Sequence, residues 1–131
     1  MGRKYKIHES DYPYFLTFTI VGWIDLFTRR CYADLMVESL QHCQENKGLK
    51  VGGWCIMSSH LHLILYTEDN QPLEGIIRDL KAYTAKEIWK TLNNNDQESR
   101  KRWISGMMKK EIEYSSRNST FQVWMQHNHP I

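Results

Sequence analysis

The stretch Met57-Ser-Ser-His60-Leu61-His62-Leu63-Ile64-Leu65-Tyr66 constrains the fold more than any other part of the chain. Side chains at i, i+2 and i+4 of a strand point the same way, so His60, His62, Ile64 and Tyr66 share one face while Leu61, Leu63 and Leu65 line the other. The leucine face is core. The opposite face holds two imidazoles side by side on a rigid element. Neutral imidazoles so placed can bind one divalent metal, given further ligands from elsewhere in the fold or from a substrate. Hydrogen-bonded structural histidines are the competing reading.

The neighbouring segments build a sheet around this strand. Lys50 to Met57 reads as the preceding strand, with Gly52 and Gly53 marking a bulge or the close approach of another backbone. Ser58-Ser59 leaves room only for a tight connection, which implies an antiparallel hairpin, and Asp69, Asn70 and Pro72 close the unit. Upstream, YFLTFTIVG over residues 14–22 is aromatic and β-branched, with Phe15, Thr17, Thr19 and Val21 opposing Leu16, Phe18 and Ile20. Apolar groups on both faces predict a central strand.

Helical spacing appears in three places. Tyr32, Met36, Leu40 and Cys43 predict a helix from Cys31 to Lys47, with Thr28 as N-cap and Gly48 as its stop. Leu73, Ile76, Ile77, Leu80, Thr84, Ile88 and Leu92 form one stripe of a second helix, broken by Asn93-Asn94-Asn95-Asp96. A third, highly charged helix is expected over residues 97–113, then a polar linker to residue 120 and renewed strand character in FQVWMQ over 121–126. The order predicts an α+β domain: an antiparallel sheet with helices packed against it and the histidine strand near its middle.

Composition narrows the function classes. A chain of 131 residues, 41% hydrophobic, is one domain with enough apolar material for a real core. Cys31, Cys43 and Cys55 match neither a CxxC metal pattern nor a disulfide framework, which predicts reduced thiols in a cytoplasmic protein. No apolar run approaches the ~20 residues of a membrane span, and the first residues lead into no signal segment. A glycine-rich phosphate loop and a GxSxG turn are both missing, so the common nucleotide-binding and hydrolase readings fall away.

The net charge of +2 hides an asymmetry: +2 over residues 1–30, −4 over 31–77 and +4 over 78–117. A phosphate-binding surface and a solvated helix exterior both fit this pattern. Arg29 and Arg30 follow the cap of the first helix, where cations gain nothing from the helix dipole, so they face either a phosphate partner or plain solvent. Lys81, beside the apolar edge of the second helix, is the remaining candidate for a DNA backbone contact.

The order of YFLTFTIVGWIDLFTRR, WCIMSSHLHLIL, the LKAYTAKE helix and the closing WMQHNHPI resembles the REP-associated tyrosine transposases, a branch of the IS200-like single-tyrosine transposases in the HUH endonuclease superfamily. The resemblance runs over nearly the whole chain. Ser59 departs from the pattern, in which asparagine commonly precedes the first histidine. The resemblance implies a ferredoxin-like, RRM-like sheet with the His-x-His pair on a central strand. It also implies a divalent ion, magnesium or manganese, held by His60 and His62, and a tyrosine that attacks a DNA phosphate to leave a 5′-phosphotyrosine link. The implied partner is single-stranded or hairpin DNA, without a nucleotide cofactor or a membrane. Such enzymes include monomers and dimers, so a homodimer stays open.

The family's nucleophile lies in a Tyr-Ile-x-x-Asn-Pro segment that this sequence does not match, so residues 1–131 read as a single HUH-type domain lacking its tyrosine-bearing helix. Tyr83 on the second helix is the alternative nucleophile, although its place beside Leu80 also fits packing. His127 and His129 read as a loop approaching the site. Three functions follow: a nicking and joining enzyme for single-stranded hairpin DNA, a tyrosine-free hairpin-binding protein, or a metal-binding α+β protein unrelated to DNA.

Overall fold

The computed structural model describes residues 12–68, 71–111 and 120–126. The sheet has three antiparallel strands: β1 (Tyr14–Thr19), β2 (Leu49–Ile56) and β3 (His60–Thr67), in the order β1-β3-β2. The histidine strand is therefore the middle one. Leu61, Leu63 and Leu65 of β3 and Leu16 and Phe18 of β1 are fully buried, whereas His60, His62, Ile64 and Tyr66 are half-buried on the opposite face. The alternation seen in the sequence is a real difference between a covered and an open face.

Two helices supply the cover. In α1 (Arg30–Asn46) the buried positions are Tyr32, Met36, Ser39, Leu40 and Cys43, at helical spacing. It ends at Lys47, followed by Gly48 at φ +80°, a left-handed conformation that glycine adopts without a Cβ penalty. In α2 (Leu73–Asn94) the buried set is the stripe Leu73, Ile76, Ile77, Leu80, Thr84, Ile88 and Leu92. These stripes join the buried faces of β1 and β3 in one core. A shorter helix, α3 (Lys101–Glu111), contributes Ile104 and Met108.

The hairpin between β2 and β3 has the expected two-residue turn, closed by Met57 N–H donating to His60 O at 2.8 Å. Val51 faces Leu65 and Gly53 faces Ile64, so Gly52 is the extra residue of a bulge. A Cβ on Gly52 would stand 3.3 Å from Ile64 Cγ2, so what crowds this position is a side chain, the neighbouring backbone staying at 3.7 Å.

Several expectations are corrected. β1 is an edge strand: it pairs with β3, and on its other side the described residues offer only a single bridge, Ile20 to Trp124. Its second face is apolar because Phe15 lies on the open side of the sheet, next to His62, and not because a second layer covers it. The FQVWMQ segment makes that one bridge and no strand, since Gln122 N–H turns away to Met108 O. Trp124 instead anchors the segment, with Nε1 donating to Thr84 Oγ1 at 3.0 Å and its ring against Phe18 and Phe27. The N-cap of α1 is Arg29; Thr28 closes a 3₁₀ turn and donates its hydroxyl to Asp25 O. The third helix begins at Lys101 because residues 97–100 form a turn around Glu98.

Glu98 is the buried charge of the molecule's helical end. Its carboxylate accepts from Arg100 Nε at 2.9 Å, Arg100 Nη2 at 3.2 Å and Tyr32 Oη at 3.2 Å. Arg100 Nη1 also donates to the Asp25 carboxylate and carbonyl. A fork-to-fork arginine contact with further hydrogen bonds is the arrangement that makes a buried carboxylate tolerable. The Arg100 guanidinium holds the Glu98 carboxyl at about 2, below its ordinary 4.5, while burial and the Glu98 charge push the Tyr32 phenol upward.

Candidate metal centre on the open face

The rings of His60 and His62 lie with centroids 4.9 Å apart and nearly perpendicular, as i and i+2 on one strand require. Each has a hydroxyl at Nδ1: Thr17 Oγ1 at 3.1 Å from His62 and Ser59 Oγ at 3.2 Å from His60. Thr17 reaches His62 because the antiparallel register sets the two residues opposite one another. With Nδ1 protonated, each ring donates to its hydroxyl and leaves the Nε2 lone pair as a ligand. Burial, and then the neighbouring His62, lower the pKa of His60, which favours the neutral, metal-binding form.

These two residues fit a divalent ion as a pair. Among the described residues no three His, Cys, Asp or Glu side chains converge as a metal-ligand set, so further ligands would be water, substrate oxygen or other parts of the chain. Cys55 faces His62 across the β2–β3 ladder, but its Sγ contacts Met57 Sδ at 3.6 Å.

An aromatic row runs through the pair. The Phe15 ring is 5.6 Å from His62, and the Trp23 ring 5.6 Å from His60 in edge contact. Trp23 is 61% exposed and has φ +56°, directly after Gly22 at φ +64°. A left-handed conformation in a residue with a Cβ costs about 1 kcal/mol or more, so the surroundings must impose it. They do so through Trp23 N–H to Ile20 O, Val21 N–H to Val123 O, and the hairpin carbonyls of Ser59 and Ser58, which accept from Ile20 and Phe27. The Ser59-bearing turn thus holds the Trp23 corner against His60.

The other predicted residues go elsewhere. Arg29 Nε lies 3.6 Å from Glu98 Oε2, and its Nη2 donates to Ser99 Oγ, so an internal carboxylate meets part of its charge. Arg30 is 91% exposed in its side chain and pairs loosely with Asp34. Lys81 donates to Met125 O and stands 5.1 Å from the Phe18 ring, on the helix side of the sheet. Tyr83 is 56% exposed rather than packed, and lines a groove between α1 and α2, on the side of the sheet away from the histidines. His127 and His129 lie outside the described residues. Sequence reasoning missed Thr17, Phe15 and Trp23 as neighbours of the histidines. Thr17 was within reach of it, given the β1–β3 register; nothing in the periodicity marks Trp23.

The fold is shared with solved structures. A candidate transposase from Deinococcus radiodurans R1 matches with TM-score 0.63 at 15% identity, over all of this chain and 83% of that one. A REP-associated tyrosine transposase bound to a REP hairpin matches with TM-score 0.61 at 12% identity, over all of this chain and 62% of that one. At these identities the likeness is one of fold. No curated protein sequence matches the chain. No helix among the described residues is long and apolar enough to cross a membrane. The family model described as "Transposase IS200 like" matches residues 17–123, from the threonine that orients His62 to the segment beside β1, and by that match the chain belongs to the IS200-like transposases.

Proposed function

We propose that this chain acts in nicking and joining single-stranded hairpin DNA, with one divalent ion, magnesium or manganese, held by His60 and His62. The observation that carries this reading is the pair of imidazoles on an open sheet face, each tied at Nδ1 and presenting Nε2. The fold of the REP-associated tyrosine transposase solved with a REP hairpin supports DNA as the partner. When bound, the ion would polarise the scissile phosphate and stabilise its developing charge. Thr17 and Ser59 hold the orientation of the two rings, and Phe15 and Trp23 flank the place where the phosphate would sit.

In this reaction a tyrosine oxygen bonds to phosphorus and the bond to the 3′ oxygen breaks. The tyrosine hydroxyl gives up its proton as it attacks, the leaving 3′ oxygen takes one up, and the products are a 5′-phosphotyrosine and a 3′-hydroxyl. None of the described tyrosines stands beside the histidines. Tyr66 shares their face but is four residues from His62, roughly 13 Å along a strand. Tyr14 pairs with Leu65 at the far end of the sheet, and Tyr83 is on its other side. The nucleophile is therefore assigned to a tyrosine outside the described residues.

Hairpin binding without cleavage is the second reading, favoured by that same distance between the histidines and the described tyrosines. A denaturing gel with labelled hairpin DNA and manganese, beside a native binding gel and the His60→Ala, His62→Ala double variant, separates them. Label retained by the wild-type chain alone supports nicking. Binding without an adduct moves the assignment to hairpin binding, and no binding even at low salt removes DNA from the account.

A further inference from the structure

The corner bearing Trp23 is costly to build, and while it buries Val21 and Ile24 in the core it leaves the Trp23 side chain outside. Gly22 and Trp23 are two successive left-handed residues, and the indole they carry is mostly exposed. Gly22 is packed so closely on α3 that a Cβ there would meet Met107 Cε at 3.0 Å. The corner is further tied to the histidine hairpin by Ile20 N–H to Ser59 O and Phe27 N–H to Ser58 O. A rigid, exposed indole in edge contact with a metal-ligand candidate is what a stacking surface requires.

The surroundings indicate what stacks there. Phe15, His62, His60 and Trp23 form one continuous row of rings, with neighbouring centroids 5.6, 4.9 and 5.6 Å apart. The helix α3, which packs on the corner through Met107, carries Lys101, Arg102, Lys109 and Lys110, of which Lys101 pairs with Asp96 and Lys109 stands over the Trp89 ring. A flat aromatic ring beside a cationic helix suits a nucleic acid strand, whose bases stack while its phosphates meet the positive charge. An apolar protein partner would gain nothing from that charge.

We propose that Trp23 stacks an unpaired base of the DNA strand, that of the nucleotide next to the phosphate held at His60 and His62. Trp23 is then a positioning residue: it fixes which phosphate arrives at the histidines. This rests on the reading that a single strand crosses the open face, and it adds a residue and a base to that reading. Every base has a stacking face, so the contact sets register more than sequence.

The test uses the full chain and a hairpin DNA with a single-stranded flank, in which each flank position in turn is made abasic or replaced by 2-aminopurine. For the wild type, one abasic position should weaken binding roughly tenfold, in line with the value of one stacked base. Trp23→Ala should lose a similar factor on intact DNA and become indifferent to that abasic position, while Trp23→Phe keeps most of the affinity. The 2-aminopurine at the same position should be quenched on binding wild type, a readout that does not depend on the folding of any variant. If Trp23→Ala folds and the two losses multiply, or if no flank position is quenched, the proposal is overturned while hairpin binding stands. If the wild type binds no DNA, the reading beneath it fails as well.

Discussion

Replacing Glu98 by Gln tests how the helical end is held together. The Glu98 side chain is fully buried, accepts three hydrogen bonds from Arg100, one of them from its backbone N–H, and one from Tyr32, and its carboxyl sits at about 2 against an ordinary 4.5. A difference of that size, at 1.36 kcal/mol per pKa unit, corresponds to about 3 kcal/mol of stability from the ionised form. The folded-state pKa is depressed, so this contribution is complete above pH 4.5 and is lost as pH falls towards 2. At pH 3 about 1.4 kcal/mol should remain. Glutamine keeps an acceptor for Tyr32 but leaves Arg100 facing a neutral group, and the cost at pH 7 should be about 2–3 kcal/mol. With an m-value of about 1.5 kcal/mol/M, the urea midpoint should fall by up to about 2 M. The assay is urea denaturation of both proteins at pH 7, 4.5 and 3. A gap that is the same at pH 7 and pH 3, or no gap at pH 7, would refute the argument that the ionised Glu98–Arg100 contact supports this end of the fold.

Three further outcomes follow from the geometry. Thr17→Val removes the hydroxyl at His62 Nδ1 while keeping a β-branched strand residue, so manganese affinity should fall about tenfold or more with little change in melting temperature. Gly22→Ala puts a Cβ at φ +64° and 3.0 Å from Met107, and should lower thermal stability by about 1–2 kcal/mol and alter the Trp23 fluorescence. Tyr83→Phe should leave any manganese-dependent DNA adduct at its wild-type level, because the groove it lines lies on the side of the sheet away from the histidines. Loss of the adduct in Tyr83→Phe would contradict the placement of that helix face.

What could be read from the sequence was what depends on near neighbours. The period-2 alternation of residues 60–66 and the stripe of α2 specified which faces are buried, because burial of one face is what such patterns require. Gly48 and the Gly52 bulge were legible for the same reason, as positions where a Cβ has no good place. The errors came from contacts made at long range. β1 reads as central by composition, yet its second apolar face belongs to an exposed row of rings beside the histidines. The contacts of Arg29 with Glu98 and Ser99, in the connection between α2 and α3, were no error of reading but simply out of its reach, since no local pattern links those segments. Thr17 becomes a partner of His62 only once β1 is aligned antiparallel to β3, 45 residues away.

His60 and His62 acting together as metal ligands beside bound DNA is the central expectation for this chain. Electron paramagnetic resonance of manganese titrated into the wild-type chain with hairpin DNA, repeated with the His60→Ala, His62→Ala variant, measures this directly. One bound ion per chain in the wild type, with hyperfine coupling to nitrogen, and loss of that ion in the double variant, is the predicted result. Manganese bound equally by both proteins, or by neither, would contradict it.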